Sequence, residues 1–162
     1  MRHLLTSVIL VVFLFPSLAL GQGVTMDDLV VRDGLYYKEF TDVPFTGEVT
    51  GQHQGRIKDG KQDGPWVSYY ENGQLYGKGT WKDGKQDGLW VSYYKNGQLY
   101  GETTFKDGVN DGPLVSYYED GQLSEKGTYK DGERDGPWVG FNKDGTVNEE
   151  WTGTFKDNVK VE

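Results

Sequence analysis

The hexapeptide Asp-Gly-x-x-Asp-Gly returns every 24 residues, beginning at Asp59, Asp83, Asp107 and Asp131. Each copy is followed by Pro-Trp-Val, Leu-Trp-Val or Pro-Leu-Val, then an aromatic pair or its remnant, then Asn-Gly or Asp-Gly. A period between about 20 and 50 residues marks a chain assembled by stacking one small unit rather than by closing around a single core. Stacked units present extended surface, so the period makes surface recognition the default function and removes most enzyme classes.

Within one unit, residues 65–70 (PWVSYY) are aromatic and β-branched and read as a strand. Asn72-Gly73 is a strong hairpin signal, because a type I′ turn needs positive φ at both central residues. Residues 75–82 form the return strand, and residues 83–88 (DGKQDG) read as a second, longer turn. Glycine is too frequent for helices, and no 3.6-residue periodicity survives. The expected fold is all-β: a single-layer antiparallel meander of 24-residue hairpin repeats, elongated and twisted.

A two-residue Asn72-Gly73 loop predicts Tyr70 opposite Leu75, Ser68 opposite Gly77 and Trp66 opposite Gly79. A six-residue turn at 83–88 then places Trp81 opposite Trp90, Phe105 opposite Leu114 and Tyr129 opposite Trp138. One face is thus expected to carry a structural ladder of Trp66, Trp81, Trp90, Phe105, Tyr129 and Trp138, with Tyr70, Tyr94 and Tyr118 beside it. Glycines 77 and 79 should lie beneath those rings. The other face should carry Val67, Lys78, Thr80 and the tyrosines 69, 76, 93, 100 and 117. Tyrosine offers large contact area at low entropic cost, so Tyr69, Tyr76, Tyr93, Tyr100 and Tyr117 are the candidate partner-binding residues.

The ends differ from the middle, as capping units should. Residues 1–21 combine a short basic start, an apolar run over 4–20 and small residues before Gln22, the pattern of a cleaved secretory leader. Residues 22–58 are expected to hold capping strands and a degenerate first repeat, with 35–40 and 44–49 as its hairpin and 24–33 as an edge strand or lead-in. The core repeats then run over 59–140, and 141–162 forms a degenerate last repeat and cap. Export places the chain in the periplasm, at the outer membrane or outside the cell. The chain has no cysteine, which removes disulfides and thiol chemistry. Its formal net charge is −8, a field that repels nucleic acid and anionic membranes.

Residues 79–99 (GTWKDGKQDGLWVSYYKNGQL) resemble the MORN-variant repeat of bacterial proteins. The lead-in at 32–37 (RDGLYY) with 44–47 (PFTG) resembles the start of the exported YwqK-type antitoxin family. The resemblance runs from about Leu29 to Val159. It implies a meandering β-sheet scaffold for protein or lipid contact, and it transfers no catalytic residue.

Little in the residues points to chemistry. His53 sits in a Gly-Gln-His-Gln-Gly segment that reads as a loop, with no partner signal for a nucleophile. The paired turn aspartates recur in every unit, whereas a catalytic dyad needs one pocket that pushes two pKa values apart. Asp and Gly suit tight turns for backbone reasons alone, and the spacing fits neither an EF-hand nor a calcium-binding β-roll. No cofactor or metal is expected. Lys58, Lys82, Lys106, Lys130 and Lys156 precede the turns, but each adjoins an aspartate, which argues against membrane lipid as the ligand. The expected partner is another protein, a second copy of the chain, or a glycan stacked on exposed aromatic rings. A toxin neutralised by an immunity-like protein is the alternative.

Overall fold

The turns decide the architecture. In the computed structural model, which describes residues 23–161, the first Asp-Gly of each hexapeptide is a two-residue turn. Asp83 has φ 50° and Gly84 φ 81°, and Lys82 pairs directly with Lys85. Asp59-Gly60, Asp107-Gly108 and Asp131-Gly132 repeat the geometry, as do Asp33-Gly34 and Asp157-Asn158 near the ends. Positive φ at both positions is the type I′ turn, whose twist matches that of the flanking strands. The expected six-residue turn at 83–88 is therefore a tight turn followed by a bulge: Asp87 donates its N–H to the Thr80 carbonyl, and Gly88 takes φ 85°.

Asn72-Gly73 behaves differently from expectation. Only Gly73 has positive φ. The Gly73 N–H donates to the Tyr70 carbonyl, and the Tyr70 N–H to the Gln74 carbonyl. The loop is thus three residues, Glu71 to Gly73, ending in a glycine bulge. The Asn72 side chain supports it by accepting the Gln74 N–H. The extra residue makes Tyr69, not Tyr70, the partner of Leu75, through a register shift next to Ser68.

These turns fold a continuous meander of antiparallel strands. Its first strands are β3 (Gly47–Val49), β4 (His53–Lys58), β5 (Lys61–Tyr69) and β6 (Leu75–Lys82). The middle runs through β7 (Lys85–Gln86), β8 (Gly88–Tyr93), β9 (Leu99–Lys106), β10 (Val109–Tyr117) and β11 (Leu123–Lys130). It ends with β12 (Glu133–Arg134), β13 (Gly136–Gly140), β14 (Gly153–Lys156) and β15 (Val159–Lys160). Strand order follows chain order, with β7 and β12 as short pieces on β6 and β11. The sheet is open and single-layered through the repeats, as the periodicity implies.

The expected pairings of Trp66 with Gly79 and Ser68 with Gly77 hold. The expected Trp81–Trp90 pair does not, because the tight turn shifts the register. Trp81 lies opposite Gly64 and Gln86, and Trp90 lies opposite Thr103. Likewise Phe105 pairs with Gly88 and Asn110. Tyr129 pairs with Gly112 and Arg134. The ladder members still meet, diagonally: Trp81 and Trp90 at 5.7 Å, Trp90 and Phe105 at 6.5 Å, Tyr129 and Trp138 at 5.0 Å, all edge to face.

Trp66, Trp90 and Trp138, which occupy one position of the repeat, each cover a glycine of the preceding strand. A Cβ on Gly55 would lie 2.2 Å from the Trp66 ring, on Gly79 2.3 Å from Trp90, and on Gly127 2.1 Å from Trp138. The one repeat with leucine in the tryptophan position, Leu114, has Thr103 as its partner. Trp90 and Trp138 also donate their indole N–H to the Thr80 and Thr128 carbonyls. Where an expected glycine is absent, the ring is absent too.

Burial is deepest at the two ends. Leu29, Phe45, Val49, Ile57 and Trp66 form one core, with Met26, Tyr36 and Trp81 packed against it. Its cover is a 3-10 turn (Met26–Asp28) and a separate hairpin of β1 (Leu29–Arg32) and β2 (Leu35–Lys38). Of the expected hairpin of 35–40 with 44–49, only a Tyr37–Pro44 bridge and the Phe45 N–H bond to the Tyr36 carbonyl form; as strands, β2 pairs with β1, and β3 with β4. The segment 24–33 is mainly a cover strand, tied to the sheet edge by a Val24–Val49 bridge.

At the other end Trp138 and Phe155 are buried. Arg134 lies against the rings of Trp138, Trp151 and Phe155 at 4.6, 5.4 and 5.5 Å. It also reaches Glu125 at 3.4 Å, both side chains being largely covered. The leader read over 1–21 lies outside the described residues.

Candidate recognition surface

Alternation along β6 separates two faces. Gly77, Gly79 and Trp81 turn toward the covered side, while Tyr76, Lys78, Thr80 and Lys82 are exposed. The exposed side can be followed strand by strand. Val67, Lys78, Val91, Glu102, Val115, Lys126 and Val139 are successive cross-strand partners. A valine from each hairpin's first strand thus alternates with a charge from its second.

One step nearer the three-residue loops lies a row of tyrosines. Gly77 pairs with Ser92 and Gly101 with Ser116, so the register sets Tyr76 beside Tyr93 and Tyr100 beside Tyr117. Tyr69 lies beside Gln52, to whose carbonyl it donates its N–H. The residues expected as contact points, Tyr69, Tyr76, Tyr93, Tyr100 and Tyr117, therefore fall on one row. They are not equally presented. Tyr76 and Tyr100 are 52% and 51% exposed, whereas Tyr69, Tyr93 and Tyr117 are half-buried.

A second set of tyrosines fixes the first. Tyr70, Tyr94 and Tyr118 were expected on the tryptophan face. The three-residue loop instead turns Tyr70 onto Tyr76, edge to face at 5.1 Å, and Tyr94 onto Tyr100 at 5.2 Å. Each of these supporting rings is pinned at its hydroxyl. Tyr70 donates to the Tyr93 carbonyl at 2.9 Å, Tyr94 to that of Tyr117 at 2.8 Å, and Tyr118 to that of Phe141 at 2.7 Å. Burial, followed by the neighbouring Tyr100 and acidic side chains, raises the Tyr94 pKa, which keeps that hydroxyl a donor. The row ends where the sequence changes, with Gln52 and Ser124 occupying the places of Tyr76 and Tyr100.

A shallow depression of about 340 Å³ adjoins the start of the row, lined by Gln52, Gln54, Tyr69, Tyr70 and Glu71. The lysines preceding the turns stand along the opposite rim, and two of them are paired: Lys106 with Asp111 at 3.9 Å and Lys156 with Asp135 at 3.2 Å.

His53 is corrected as well. It belongs to β4 rather than a loop, and its Nδ1 lies 2.9 Å from the hydroxyl of the buried Ser68. The equivalent serines 92 and 116 pair with glycines 77 and 101. A His–Ser contact formed in one degenerate unit closes the end of a serine–glycine row. The aspartates of the tight turns are explained by their left-handed φ, which Asp tolerates better than most residues.

Three consecutive segments, residues 62–83, 86–107 and 110–131, match the family model of the MORN repeat variant. Repeats of this kind are non-catalytic modules that serve as scaffolds for protein or membrane contact. No curated protein matches the chain.

Proposed function

We propose that this protein is an exported, non-enzymatic scaffold that recognises a partner through the tyrosine face of its sheet. The observation that carries the reading is the division of labour between the faces. Tryptophans, glycines and both end cores occupy one side, while the other displays two half-exposed tyrosines on pinned supports. Rigid aromatic rings in a polar surround lose little entropy on binding, as favoured contact residues do. The leader-like sequence of residues 1–21 supports export.

An antitoxin-like role is a special case of this reading, with one basic protein as the partner. The net charge of −8 favours such an encounter, and association that slows steeply with salt would mark it.

The natural absence of cysteine permits a clean test. Single cysteines at Val91 or Tyr117, armed with a short photocrosslinker, should capture the partner from a cell-envelope extract. A cysteine at Lys61, on the opposite rim, should not. Capture from Lys61 alone, or from none of these positions, would overturn the assignment of the face.

A further inference from the structure

We infer that Tyr76 and Tyr100 are two sugar-stacking platforms for a single, neutral, extended β-1,4-linked glycan chain lying across the strands. The inference rests on the tyrosine-face reading and names its ligand class. Each repeat contributes two strands, so equivalent atoms recur at about 9.6 Å. That is close to the length of one disaccharide unit in an extended β-1,4-linked chain, in which every second ring presents the same face. The two platforms are near-copies: each is half-exposed, and each leans on a supporting tyrosine at almost the same distance and angle. Their supports are locked to the backbone of the next unit, so the rings are held in place before any ligand arrives.

The surroundings select against other polymers. A peptide that binds by adding a strand needs unpaired main-chain groups, but β6 and β9, which carry the platforms, are paired on both sides. A polyanion meets a net charge of −8. A neutral glycan needs a ring to stack on and side-chain groups for its hydroxyls. Gln74 and Gln98, each exposed beside a platform, supply amides, and Lys78 and Glu102 supply charged hydrogen-bonding groups on the same face. Sheet twist of roughly 20–25° per strand rotates successive platforms about the row by on the order of 45°. A free chain can follow that rotation and the flat face of a crystalline polysaccharide cannot.

The test is isothermal titration of the full chain with chitohexaose and cellohexaose, against their disaccharides and against maltohexaose, whose α-linkages curl the chain. At least one β-1,4 hexamer should bind about tenfold or more tighter than its disaccharide, which reaches only one platform, and maltohexaose should not compete. Tyr76→Ala or Tyr100→Ala should each reduce hexamer affinity to the disaccharide level without lowering the melting midpoint enough to unfold the chain. Tyr76→Phe and Tyr100→Phe, which keep the ring, should bind within about twofold of the parent.

Equal affinity for hexamer and disaccharide, equal binding of maltohexaose, or indifference to both alanine variants would overturn the inference. If neither hexamer binds while the Val91 and Tyr117 crosslinks still form, the glycan assignment falls and the tyrosine face stands. If both experiments fail, the recognition reading falls with it.

Discussion

The pairing of tryptophan with glycine gives the sharpest test of what holds the sheet together. Gly79 lies under Trp90, and a Cβ there would sit 2.3 Å from the ring, well inside van der Waals contact. Gly79 has no positive φ, so threonine suits its backbone and any penalty comes from the clash. Overpacking of this kind costs about 1–3 kcal/mol. Trp90→Leu removes part-buried ring area and an indole hydrogen bond, for about 2 kcal/mol. If the two sites were independent, the double variant would lose about 4 kcal/mol. It recreates the pair that the chain already uses at Thr103 and Leu114, so it should lose only about 2 kcal/mol, a coupling of about 2 kcal/mol. Urea unfolding followed by far-UV circular dichroism measures all four corners of the cycle without depending on the indole being removed. Additivity within about 0.5 kcal/mol would show that the rings do not hold the repeats together through their glycines.

Further expectations concern the turns, the C-terminal end and the tyrosine supports. Asp107 has φ 51°, so Asp107→Val should cost about 1–2 kcal/mol while Asp107→Asn stays near neutral, read from urea midpoints. Burial raises the Glu125 pKa, against the opposing pull of Arg134. A carboxylate with a raised folded-state pKa contributes most stability when protonated, below its unfolded pKa, and loses that contribution as pH rises through the folded value. Acidification through the carboxylate range should therefore stabilise the parent relative to Glu125→Gln, in paired thermal melts. Arg134→Lys exchanges a plane stacked among three rings for a point charge and should cost about 1–2 kcal/mol. Tyr94→Phe removes one hydroxyl bond to the Tyr117 carbonyl and should cost about 1 kcal/mol.

Much of this architecture is readable from the residues because a repeat states its rules several times. The period, the strands and the pairing of Trp66 with Gly79 all follow from alternation and spacing. The turns were harder, since Asn-Gly and Asp-Gly carry the same preference for positive φ. Their roles separate only through the residues around them: Gln74 bonds back to Asn72, whereas Lys82 and Lys85 simply close a ladder. That difference of one loop residue moves Tyr70 from the tryptophan face to the tyrosine face, and with it the origin of the pinned supports. The Arg134–Glu125 pair had a signal of another kind. Arg134 stands where earlier units have Gln62, Gln86 and Asn110, and Glu125 where they have Gly77 and Gly101. A departure from the period that supplies both halves of an ion pair marks the unit that closes the array.

Residues that hold the sheet differ in kind from residues left free to act. Trp66, Trp90 and Trp138 answer to glycines, and Leu114 at the same repeat position to Thr103, while Trp81 packs on the N-terminal core, so those sites are explained by packing. Tyr70, Tyr94 and Tyr118 are explained by hydroxyl bonds that tie one unit to the next. Tyr76 and Tyr100 have no such account. They are half-exposed and face away from both end cores. They are also dropped in the flanking units, where Ser124 keeps its place in the strand and Gln52 lies in the turn just before one. A ring that folding required would be expected in every unit, as the pinned tyrosines recur. A ring confined to the two central units, and braced there, is better explained by what it touches outside the molecule.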